Sequence, residues 1–182
     1  MKILITALRR ITASDLDISD FESAKKWVKE NVNDVYYDDD VKENEDEYDD
    51  YAKAQEEQAD ERVSDYVDKY HEVKNKSSIQ VYRAVCLDDI KDLDINAVGT
   101  HWSFEEKGAG CYGGGEKDSK LGDNIYTLTA LANPKDIDWE YGLTSFMWYG
   151  EDQWECALNL GSKVTITHID DKKLDKPIDG KV

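Results

Sequence analysis

Arg83, His101, Ser103, Gln153 and Glu155 are the residues of this chain whose types and surroundings point to chemistry. Arg83 sits inside VYRAV, a run that reads as a largely buried strand. A guanidinium keeps its proton, so a buried one needs a carboxylate or a bound anion. The ordinary case is a structural ion pair. His101, Trp102 and Ser103 end the strand-like run GTHWSF, which begins at Gly99 and runs into a glycine-rich stretch. Taken singly, the histidine reads as a satisfied structural group and the tryptophan as core. In QWECALNL, alternation puts Gln153 and Glu155 on one face, about 7 Å apart by the strand rise, and Glu151 falls on the same face. Trp154 and Cys156 flank Glu155, which places it at the edge of a core. Hydrogen bonds or a nearby arginine can hold a carboxylate ionised there. Alone, each of these residues is more often surface or core than site.

The elements that must position them fall in two halves. Residues 1–76 read as helical. SDFE, Ser19 to Glu22, has the form of a capping box, and Phe21, Ala24, Trp27, Val28 and Val35 follow on one helical face. An acidic segment, 38–50, reads as a solvated or frayed stretch. A second helix is expected over 51–73, with Val63, Tyr66, Val67, Tyr70 and Val73 as its stripe. From residue 79 the period changes. Residues 79–85, 99–104, 124–132, 153–160 and 163–169 are short, β-branched and aromatic-rich, and turn residues separate them. Gly108, Gly110, Gly113, Gly114 and Gly115 form one glycine-rich loop, and 171–182 reads as a C-terminal tail. Helices first and strands afterwards predict an α+β fold.

Composition narrows the function. The 182 residues suffice for one domain, and 40% hydrophobic content supports a core. Acidic residues outnumber basic ones 41 to 23, a formal charge of −18 that repels phosphate backbones. Direct nucleic-acid binding is therefore not expected, while the charge allows a basic protein partner or mimicry of nucleic acid. Three cysteines, Cys86, Cys111 and Cys156, lack metal-ligand spacing and suit a reduced, cytoplasmic setting. The opening apolar run is too short for a signal peptide, and no later run could span a membrane.

An Arg in the first strand, a Ser-containing triplet ending the second and a Q-x-E opening a later strand together resemble the Arg–Ser–Glu class of ADP-ribosyltransferases. ECALNLGSKVTI is similar to that family's run of Glu, apolar strand, short Gly-Ser/Thr turn and further strand. YTLTALANPKDIDW resembles a strand of its phage-type members. The resemblance covers about 79–170 and makes 77–170 the core of the domain. It implies a split, mostly antiparallel β-sandwich preceded by helices, and transfer of ADP-ribose from NAD to a host protein by a bacteriophage effector. It also implies the roles. Glu155 holds a ribose hydroxyl and steadies the developing cation. Arg83 takes the pyrophosphate. Ser103 or His101 orients the glutamate. Backbone around Gly99 and an aromatic ring of Trp102, Trp148 or Tyr149 complete the NAD site. Gln153 leans away from arginine acceptors, and no metal is required. The triplet here is His-Trp-Ser where the family has Ser-Thr-Ser or close to it. NAD glycohydrolysis is a related outcome. The competing reading is a non-enzymatic acidic binding protein, a nucleic-acid mimic or inhibitor of a host protein, on a degenerate transferase scaffold.

Overall fold

The computed structural model describes residues 16–32, 45–113, 124–150 and 154–182. Helix α1 spans Phe21–Asn31. Its N-cap is Asp20, whose carboxylate accepts from the Ser23 N–H, so the cap falls one residue beyond the expected Ser19. Ser19 instead bonds back to Asp17, while the Asp20 carboxylate meets the positive end of the helix. Ala24, Trp27 and Val28 form the buried stripe, and Val35 lies outside the described residues.

Helix α2 spans Glu45–Val73 and starts six residues before the expected position. The end of the acidic segment is therefore helical, in keeping with the helix propensity of Glu and the affinity of acidic residues for a helix N-terminus. Residues 38–44 lie outside the described residues. Val63, Tyr66, Val67 and Val73 are buried on α2. Lys25 and Lys29 of α1 reach across to Asp60 and Glu56.

Six strands follow: β1 Ile79–Leu87, β2 His101–Ser103, β3 Asn124–Ala132, β4 Glu155–Ala157, β5 Lys163–Ile169 and β6 Lys172–Lys181. They hydrogen-bond into one antiparallel sheet in the order β4-β2-β1-β3-β5-β6, where a split sandwich was expected. The expected tail is β6, paired along β5. It takes an edge position, where the missing donor of Pro177 costs no ladder bond. Two helices lie between strands. Helix α3, Glu106–Gly113, occupies most of the expected glycine loop, and helix α4 spans Trp139–Tyr149.

Two buried clusters frame the sheet. One gathers Val81, Trp102, Leu128, Ala130, Cys156, Val164 and Ile166 from the strands. The other joins α1, α2 and α4 through Trp27, Val28, Val63, Tyr66, Leu143 and Phe146. Phe104 and Trp139 touch both. Among the described residues, no helix is long and apolar enough to cross a membrane.

Candidate functional site

The site forms at the β4 end of the sheet. Ser103 pairs with Tyr82 on one side and with Glu155 on the other, so these three side chains share a face. His101, two residues before Ser103, joins them. Trp102 and Cys156, paired with each other, point the opposite way into the strand cluster.

Three devices hold Glu155 in place. Trp154 has φ +29, a left-handed conformation uncommon for a bulky residue. Its carbonyl accepts from the Phe104 N–H at 2.9 Å and from Ser103 Oγ at 3.3 Å, and its ring lies 4.5 Å from Phe146. Such strain concentrates at functional sites. Tyr66 of α2 donates its hydroxyl to the Glu155 carbonyl at 3.1 Å. Gly142 of α4 makes room for that hydroxyl, since a Cβ there would lie 1.9 Å from it. Arg62 of α2 donates Nη1 to the Met147 carbonyl at 2.6 Å, closing the last turn of α4.

Glu155 is 2% exposed. His101 Nδ1 lies 2.6 Å from its Oε1, and Ser145 Oγ of α4 donates to its Oε2. The His101 side chain is 41% exposed and meets the edge of the Tyr141 ring, with centroids 5.3 Å apart. Burial, then the charge of Glu155, raises the Tyr141 phenol above its ordinary value, which keeps it neutral. Burial first and Glu155 second also raise the Cys156 thiol, so this cysteine is an inert core group.

The other expected site residues fall as follows. Ser103 is buried; its hydroxyl bonds the Trp154 carbonyl and accepts from the Glu105 N–H at 3.1 Å. Of the two residues expected to orient Glu155, His101 is the one seen bonding its carboxyl group. Arg83 pairs with Leu128 and so leaves the sheet on the face opposite Glu155. Its Nη1 donates to the His101 carbonyl, and its guanidinium lies over Gly99, where a Cβ would come within 2.6 Å. Gly99 therefore serves by its lack of a side chain and its φ of +85. Trp102 is fully buried, its indole N–H on the Gly99 carbonyl, so it has no face for a ligand ring to stack on. Tyr149 is 60% exposed and Trp148 is also exposed. Gln153 and Glu151 lie outside the described residues. No group of three or more His, Cys, Asp or Glu is placed to hold a metal among the described residues.

Ser145, Tyr141 and Tyr66 were not expected at the site. The usable signal for the first two was Asp138, an N-cap residue followed by Glu140 in the first helical turn. Together, fold and site define an α+β protein whose antiparallel sheet carries a buried carboxylate topped by an imidazole. No family model, curated protein or solved structure matches this chain.

Proposed function

We propose that the protein transfers ADP-ribose from NAD to a protein acceptor, as a bacteriophage effector in the cytoplasm of the host. The observation that carries this reading is the meeting of three motif segments on neighbouring strands. Arg83 of β1 bonds the carbonyl of His101 on β2, and the His101 ring bonds Glu155 of β4. A cation and a buried anion thus flank one residue, Arg83 through its backbone carbonyl and Glu155 through its ring, from opposite faces of the sheet. Exposed Tyr149 and Trp148 offer ring faces for NAD, whereas Arg83, on the other face of the sheet, anchors the His101 carbonyl. Glu155 supplies negative charge beneath the imidazole, where positive charge developing on a ribose is stabilised.

Labelled NAD incubated with the protein and a bacterial lysate tests the proposal. Label on a protein band supports the transferase, and free ADP-ribose alone supports the glycohydrolase. Replacing the charge in Glu155→Gln lowers turnover by about 10²–10³-fold, the usual loss when one preorganised electrostatic contact is removed. Undiminished transfer by that variant refutes the role of Glu155.

One observation favours the second reading, an acidic binding protein on a degenerate scaffold. Both Glu155 oxygens are already engaged by side chains and the carboxyl is buried. On that reading the chain consumes no NAD and captures a basic host protein.

A further inference from the structure

We propose that His101 is the proton acceptor of the site, a catalytic base whose Nε2 meets the incoming nucleophile, with Ser145 as its positioning residue acting through Glu155. The proposal rests on the transferase reading and departs from it at one point: the group that faces solvent is the imidazole and not the carboxylate.

Burial and bonding lead there. Glu155 is 2% exposed, whereas the side chain above it is 41% exposed. With Glu155 ionised, its carboxylate only accepts hydrogen bonds, and the contact at Oε1 then puts the proton on His101 Nδ1. The neutral ring then carries its lone pair on Nε2. Ser145 donates to the second oxygen, which leaves the first turned to the ring. The same contact steadies the imidazolium once the proton arrives. In the reaction, the acceptor's O–H or N–H gives its proton to Nε2. Its freed electron pair forms the bond to the anomeric carbon of the ribose. The bond from that carbon to nicotinamide breaks, and nicotinamide leaves neutral with the pair. The titratable groups packed against His101 are Glu155 of β4 and Tyr141 of α4, with Tyr149 acting on Tyr141 and Arg83 of β1 on the His101 carbonyl.

Two measurements on the full chain test this. Long-range proton–nitrogen NMR at alkaline pH reads the tautomer without any reaction. Expected is a protonated Nδ1 in the wild type and a mixed population in Ser145→Ala. A protonated Nε2 in the wild type overturns the assignment. The second is turnover of labelled NAD. His101→Gln is expected to lose about 10²–10⁴-fold in kcat with KM little changed, and to lose the acid limb of the pH profile. A wild type that turns over NAD beside a variant that keeps kcat and the limb overturns the base alone. A wild type that consumes no NAD overturns the transferase reading and this proposal together. If His101→Gln unfolds, kcat and the acid limb in Ser145→Ala decide: a drop with a displaced limb supports the relay, and an unchanged profile overturns it.

Discussion

At the Trp102–Cys156 and Ser103–Glu155 pairs, the two faces of the β2–β4 strand pair are both buried and chemically opposite. One face carries Trp102 and Cys156 in an apolar cluster, and the other carries Ser103 and Glu155 beneath the helices. Burial therefore does not separate core from site here. What separates them is the source of the partners. The apolar face is filled by neighbouring strands. The polar face takes Tyr66 from α2 and Ser145 from α4 and shares His101 with solvent. A buried carboxylate needs partners, and this one draws them from β2 and α4, while α2 holds the backbone carbonyl of the same residue.

Trp102→Ala attacks the apolar face and gives the largest effect. It removes a fully buried side chain and lowers the unfolding free energy by about 3–5 kcal/mol in urea titration. A loss under 1 kcal/mol would mean that the two faces do not differ as described.

Gly142→Ala probes the polar face without altering the Glu155 side chain. Helix propensity alone predicts a gain of about 1 kcal/mol. The clash with the Tyr66 hydroxyl and the tight approach to the Glu155 carbonyl reverse that sign, for a net loss of about 1–3 kcal/mol in the same titration. Adding Tyr66→Phe to this variant recovers part of the loss, because the hydroxyl is the atom in the way. A stabilised single variant would show the polar face to be loosely held.

The smallest effect serves as the control away from both faces. Bonds from Lys69 and Lys76 hold the Glu72 carboxyl down at about 2, from an ordinary 4.5. A lowered carboxylate stabilises the fold above its ordinary value, and that contribution fades as pH falls from about 4.5 to about 2. The group is largely exposed, so the contribution stays below about 1 kcal/mol. Glu72→Gln flattens acid unfolding in that window by this amount and leaves the neutral-pH difference between the two faces unaltered.

Much of the sheet was legible in the sequence. Strands β3 and β5 have the bounds expected for them, because each is rich in β-branched residues (Ile125, Thr127 and Thr129; Val164, Thr165, Ile166, Thr167 and Ile169) and is bounded by turn residues. Strand β6 was hidden: Leu174 and Ile178 are its only large apolar residues, set among lysines, aspartates and a proline. Helix α4 was hidden for the opposite reason. Gly142, Leu143, Ser145, Phe146 and Met147 are all buried, so no polar face marks its period. With α4 unseen, Ser145 and Tyr141 could not be anticipated. Arg83, His101 and Glu155 could be singled out by type, but their meeting depends on a strand order that brings residues 83, 101 and 155 together.

Strand β4 is three residues long and pairs along one side only, which by itself is weak insurance against misalignment. A slip of one residue would exchange the places of Glu155 and Cys156, setting an anion beside the Trp102 indole and a thiol under the imidazole. Water-stripped charge in a greasy layer is heavily penalised. The carboxylate thus acts as a ratchet pawl, locking the threading of the segment that carries it.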